Sequence, residues 1–180
     1  ENFFMVEVLD ENYHRADIQG IALVNETGNY FIPTEIALQS EEFAAFASDH
    51  KRKKTVFDAK RAIVALKWKG IELHGIDFDF IIASYIVNPS ETSTDLAEIA
   101  RKKGYYQIET DEAVYGKGAK RAVPNQQTVA DHLVRKTFAM QEMKESFIHE
   151  LKDNEQLELF EELEMPLTLV LAEMEALGII

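Results

Sequence analysis

Phe3-Phe4-Met5-Val6-Glu7-Val8-Leu9 decides how the rest of the chain is read. An apolar run of aromatic and β-branched residues, interrupted by one carboxylate, predicts a buried strand. Alternate residues of a strand share a face, so Met5 and Glu7 point the same way. A metal site on such a strand would use two acids, and here one of the two positions is apolar. Glu7 is therefore a working catalytic group, a remnant of one, or an ordinary strand residue.

Outward from this strand, Ile18–Val24 and Tyr30–Ile32 read as two more strands joined by the turn Asn25-Glu26-Thr27-Gly28. With a polar connection at Asp10–Arg15, the three make an antiparallel meander. A helix is expected from Pro33 to His50, with Ile36, Leu38, Phe43 and Phe46 inward, and Lys51–Lys54 reads as a solvated basic loop. Strand Thr55–Phe57 leads to helix Ala59–Lys69, capped by Asp58 and stopped by Gly70. A short strand ends at Phe78, and Asp79 caps the very apolar helix Phe80–Val87, which reads as core. The remainder is helical: Asp95–Lys103, a short helix within Ile108–Tyr115, a long helix from Pro124-Asn125 to about Leu151, then Asn154–Leu163 and Leu167–Leu177, with Met165-Pro166 breaking or re-capping the pattern between them. This is an α/β pattern, a mixed sheet with flanking helices.

Composition narrows the function. At 180 residues and 46% hydrophobic, the chain fits one domain with an appended piece. A net charge of −13 argues against tight, unaided nucleic-acid binding, although bound divalent ions can offset acids in a nuclease. The absence of cysteine excludes disulfides and thiolate metal sites and suits a cytoplasmic setting. No apolar run reaches membrane-spanning length. The start lacks an initiator Met and a signal-peptide flank, so a fragment of a longer protein is expected. His14, His50, His74, His132 and His149 show no zinc-binding spacing. Gly116–Arg121 is basic and glycine-containing but lacks the ending of a phosphate loop, and reads as a surface loop. Asp10, Asp58, Asp79 and Asp95 read as caps, and Phe3, Phe31, Phe57, Phe78, Trp68 and Tyr85 as packing residues.

Three stretches carry a family resemblance. Gly70-Ile71-Glu72-Leu73-His74-Gly75 and the run that follows to Asn88-Pro89 resemble the 3′–5′ exonuclease domain of bacterial DNA polymerase I, the family A polymerases. Glu164-Met165-Pro166-Leu167, continuing to Gly178-Ile179, is similar to the family's passage into the polymerase domain. Glu112 to Pro124 resembles the version found in bacilli. The resemblance implies an RNase H-like, DnaQ-type exonuclease fold. In active members four carboxylates hold two divalent metals. The family's first-strand Asp-x-Glu is Met5-Val6-Glu7 here. The Asp expected eight residues before Gly70 is Ala62, and the late-helix Tyr-x-x-x-Asp is His132-Leu-Val-Arg-Lys136, with no acid up to Gln141.

Met5, Glu7, Ala62, His132 and Lys136 are thus expected to be vestigial positions, with no catalytic residue, metal or cofactor in this domain; magnesium would belong to the parent polymerase. Residues 1–153 would be a degenerate exonuclease domain, and 154–180 a helical junction and the start of the polymerase domain. The implied role is a catalytically inactive support for the polymerase domain of the same chain, within a cytoplasmic enzyme of DNA replication and repair that contacts DNA mainly elsewhere. The alternatives are an active proofreading nuclease with relocated ligands such as Asp58, or a module binding single-stranded DNA or a partner through Lys51–Lys54 and Gly116–Arg121. The amphipathic tail from Leu157 to Leu177 is expected to have lost its partner and to be a crystal or oligomer contact or poorly ordered, and Glu7 is expected to pair with Lys136.

Overall fold

The computed structural model describes residues 1–9, 16–90 and 93–179. The expected connection at Asp10–Arg15, with the cap at Asp10 and His14, lies outside the described residues. Strands β1 (Asn2–Val8), β2 (Ile18–Asn25) and β3 (Gly28–Ile32) form the expected antiparallel meander, with Met5 opposite Ala22 and Phe31 opposite the same residue on the far side. β4 (Lys54–Val56) and β5 (Ile76–Asp79) run parallel to β1, giving a five-stranded mixed sheet in the order β3-β2-β1-β4-β5. β1 is central and every one of its residues is buried. A strand covered on both faces needs an apolar run rather than alternation, which is why the stretch from Phe3 to Val8 reads as it does. Its pairing with β2 slips between Glu7 and Val8. A bulge re-aims side chains, and this one falls at the acid.

Nine helices are described: α1 (Thr34–Gln39), α2 (Glu41–Ser48), α3 (Ala59–Trp68), α4 (Phe80–Val87), α5 (Leu96–Lys102), α6 (Asp111–Tyr115), α7 (Gln126–Asp153), α8 (Leu157–Leu159) and α9 (Met165–Ala176). A 3₁₀ turn at Gly118–Lys120 lies between α6 and α7. Alternation on β1 assigns the faces. Phe4 packs on Phe43 of α2, with ring centroids 6.1 Å apart, while Glu7 faces α7.

Asp58 and Asp79 cap helices as expected. Asp58 holds φ 70° and accepts from Arg61 N at 3.1 Å. Asp79 accepts from Ile81 N at 3.0 Å, and also from Asp58 N at 2.9 Å and Ala59 N at 2.8 Å, so one carboxylate starts α4 and secures the start of α3. Asp79→Ala leaves three backbone N–H groups without that acceptor. It is expected to cost more than about 2 kcal/mol in urea unfolding.

Several sequence expectations are corrected. The helix from Pro33 to His50 is two helices, because Ser40 is extended (φ −93°, ψ 119°) and its hydroxyl caps α2 at Phe43 N. The break turns Ile36 and Leu38 outward, 61% and 37% exposed, and buries Ala37 instead. Lys54 is not in a solvated loop. It is fully buried at the start of β4, and its ammonium donates to the carbonyls of Asp49, Arg52 and His74 at 3.2, 2.7 and 2.8 Å. Three acceptors compensate the lost hydration, so the basic run contributes one cation to the interior. Trp68 and Tyr85 are not buried but 48% and 58% exposed. Helix α4 accordingly buries one side, Phe80, Ala83, Ser84 and Ile86, and not its whole circumference.

Met165-Pro166 re-caps the tail without breaking it, with Pro166 in the first turn of α9. α8 passes through a π-helical stretch, Phe160–Glu164, directly into α9. Widened turns of this kind accommodate a residue that cannot join the regular hydrogen-bond ladder. Nor is the tail without a partner. Met165, Ala172 and Glu175 are buried against the body, and Glu175 meets Lys60 of α3 at 2.8 Å. Phe160 is fully buried on Phe78, 5.0 Å between centroids, and Phe78–Phe80 and Phe80–Phe147 continue the stack at 5.1 and 5.3 Å. The opposite face of the tail, including Leu167, Val170, Leu171 and Met174, is exposed. Among the described residues, no helix is long and apolar enough to cross a membrane.

Candidate functional site

Glu7 leaves the bulge at the end of β1 only 5% exposed. Lys136 meets it from α7, 2% exposed, with Nζ 2.8 Å from Glu7 Oε2. The expected pair is therefore formed. His132 lies one helical turn before Lys136 on the same face, as i,i+4 spacing requires. A third element completes the group. α6 carries Asp111 and Tyr115 at the same spacing, with Thr110 capping it at Ala113 N and Asp95 accepting from Asp111 N at 2.8 Å. Lys136 Nζ lies 2.9 Å from Asp111 Oδ1, and His132 Nε2 is 2.7 Å from the same oxygen. The Tyr115 hydroxyl donates to Glu7 Oε2 at 2.7 Å, and its ring meets His132 edge-on at 5.4 Å.

The electrostatics follow from the geometry. Burial disfavours the Lys136 ammonium, but Glu7 and Asp111 outweigh it and hold the pKa above the ordinary 10.5. Burial also opposes ionisation of Asp111, yet the Lys136 charge and the bonds from His132 and Lys136 hold its carboxyl well below the ordinary 3.8. Burial and the neighbouring Glu7 push the Tyr115 phenol far up, so it stays a donor. A depressed carboxyl contributes stability that is present above pH 3.8 and lost as pH falls below it. The raised lysine contributes stability that is complete below pH 10.5 and lost as pH climbs past it. Asp111 is 39% exposed, so water screens its share. Asp111→Asn is expected to flatten the acid limb below pH 3.8 in a pH series of urea unfolding curves and to weaken, without abolishing, the alkaline limb, since Lys136 keeps Glu7 but loses its second carboxylate.

The group forms one wall of a cleft of about 320 Å³. Met5 lines it from β1 and Arg61 from α3, whereas Ala62 is buried one residue further along and is not among the lining residues. Arg61 donates to Val8 O at 2.8 Å and pairs with Asp58 at 3.2 Å, and Arg121 donates to Leu9 O. Asp58 is thus engaged by Arg61 and by its cap. Among the described residues, the acid brought to Glu7 is Asp111, not Asp58. Gly116–Arg121 is less of a free surface loop than its composition suggests, since Lys117 and Arg121 line the cleft. Asp111 and Tyr115 escape a reading of the sequence because neither belongs to a recognised spacing. The available signal is indirect: a lysine on the apolar side of a long helix needs compensation, and one strand carboxylate supplies only part of it.

A two-metal nuclease needs carboxylate oxygens around two ions. Met5 and Ala62 offer none, and Lys136 offers only donors in the space between the two acids. These residues do not fit such a centre. The three groups that could converge on one ion, Glu7, Asp111 and His132, have ligand atoms within 4.8 Å of one another.

The sheet order, with an acid at the end of a central strand and helices against it, defines a ribonuclease H-like nuclease fold. The same fold is seen in NrnC of Brucella melitensis, with a TM-score of 0.79 at 14% identity over 98% of this chain and 85% of that one. It is seen again in Pol1 of M. smegmatis, solved with DNA primer-template and dNTP, with a TM-score of 0.76 at 22% identity over 97% of this chain and 28% of that one. The chain belongs to the family of the DNA polymerase I, ribonuclease H-like domain, whose sequence profile matches residues 4–143. It is 52% identical to DNA polymerase I of Bacillus subtilis over 176 residues and 50% identical to that of Geobacillus stearothermophilus over 175 residues. These matches cover 98% and 97% of the chain but 20% of each relative, so the chain spans a fifth of their length.

Proposed function

We propose that this chain is a catalytically inactive 3′–5′ exonuclease-like domain that supports the polymerase domain of a bacterial DNA polymerase I. The Lys136 ammonium, bonded to both Glu7 and Asp111, carries this reading. A divalent ion placed about 3 Å from that ammonium would be repelled by on the order of 10 kcal/mol at an effective dielectric constant of about 20. The missing oxygen donors at Met5 and Ala62 remove the rest of the metal cage. Magnesium chemistry and DNA handling then belong to the polymerase domain, in a cytoplasmic enzyme of replication and repair. Direct DNA contact by this domain is weak, since the net charge is −13 and Lys54 is withdrawn from the basic run. The exposed face of α9 supports the structural role. Residues 154–180 form the junction, and Leu167, Val170, Leu171 and Met174 offer the polymerase domain an apolar surface.

The convergence of Glu7, Asp111 and His132 favours one competing reading, an active nuclease with relocated ligands. A degradation assay on 5′-labelled single-stranded DNA separates the two. With Mg²⁺ or Mn²⁺ the expected result is no shortening above that of Glu7→Ala. Robust shortening that Glu7→Ala abolishes would establish the nuclease.

A further inference from the structure

Glu7, Asp111 and His132 bring one ligand atom each within 4.8 Å of one another, from β1, α6 and α7. A cation already lies beside them. The Lys136 ammonium, on a side chain almost wholly buried, stands 2.8 and 2.9 Å from the two carboxylates. We infer that these three side chains form a cation cradle which Lys136 fills from within the chain, and that the cradle without the lysine takes a single divalent ion of the cobalt or zinc type. The inference rests on the reading above that Lys136 is the group closing the site.

The donor set supports a mononuclear site and not a restored two-metal one. One imidazole and two carboxylates suit a borderline ion and leave a coordination position open. Asp111 comes from a helix that carries none of the positions at which the resemblance expects a carboxylate, and His132 stands where it expects a tyrosine. Outer contacts also hold the ligands in place. Tyr115 donates to Glu7 Oε2, the oxygen that also meets the Lys136 ammonium, and its ring borders His132. Asp95 fixes the backbone at Asp111. Such orienting partners are what a metal-binding side chain requires. Removing the ammonium leaves two neighbouring carboxylates short of positive charge, so ion binding and folding become linked.

The test is a Co²⁺ titration of the 180-residue chain as wild type, Lys136→Ala and Lys136→Met, read by visible d–d absorption and by melting temperature. Alanine opens room for the ion and its water. Methionine keeps most of the aliphatic stem, so it loses less packing than alanine and is the second variant to titrate, and it still lacks the terminal amine. The expected result is one bound Co²⁺ in a lysine-free variant, with a rise in melting temperature, at least tenfold weaker binding when Asp111→Asn is added, and no spectrum in the wild type. A folded Lys136→Ala or Lys136→Met that gives no Co²⁺ spectrum overturns the cradle and leaves the inactive-nuclease reading standing. A wild type that binds Co²⁺ with the same spectrum overturns the lysine's role as occupant, and it counts against the inactive reading only if DNA degradation accompanies it.

Discussion

Lys136→Met is expected to destabilise the chain by about 3–5 kcal/mol in urea unfolding, because it strips the cation from a buried ion pair and leaves the carboxylate behind. For a domain of this size that corresponds to a loss of about 6–20 °C in melting temperature, at roughly 2–4 °C per kcal/mol. The exposures of the partners decide where the cost falls. Glu7 is 5% exposed and, among the described residues, would keep the Tyr115 hydroxyl alone, whereas Asp111 reaches solvent and keeps His132. Most of the loss therefore belongs to Glu7. Glu7→Gln added to Lys136→Met should recover the greater part of it, since the amide oxygen still accepts from Tyr115 and no bare charge remains. A Lys136→Met protein within about 1 kcal/mol of wild type would show that the pair does not hold Glu7 in the folded chain.

Phe160→Ala is expected to cost a similar amount, about 3–5 kcal/mol. The ring is fully buried in the π-helical stretch and lies on Phe78, which continues through Phe80 to Phe147 of α7. Its removal opens a cavity at the point where the tail joins the body. The same substitution should speed hydrogen exchange in α9, because Phe160, Met165 and the Lys60–Glu175 pair anchor that helix together. Unchanged stability, with α9 exchanging as in the wild type, would mean that the tail's attachment does not depend on this stack.

How much of this was legible in the sequence depends on whether a feature is local. The meander, the caps at Asp58 and Asp79, and the long helix α7 all follow from patterns within a few residues, and they are present. Features that failed depend on partners distant in sequence. Lys54 is buried because the distant carbonyl of His74 joins the nearby ones of Asp49 and Arg52 on its ammonium, which composition cannot show. Trp68 and Tyr85 are exposed because their helices bury only one side. The tail has a partner because α3 presents Lys60 to it, more than a hundred residues away in the chain. The site divides the same way. Glu7 and Lys136 could be matched through the family pattern, and they meet at 2.8 Å. Asp111 and Tyr115 could not, since α6 has five residues and no motif, and only the fold delivers them to β1.

The Lys136 ammonium stands between Glu7 and Asp111, in the space that a metal ion would need. The most direct measurement is a crystal structure grown in Mn²⁺, with anomalous data recorded to locate the ion. No manganese peak is expected at this group, with Lys136 Nζ in place near 2.8 Å from Glu7 and 2.9 Å from Asp111. A manganese ion coordinated by Glu7 and Asp111, with the lysine swung away, would contradict that arrangement.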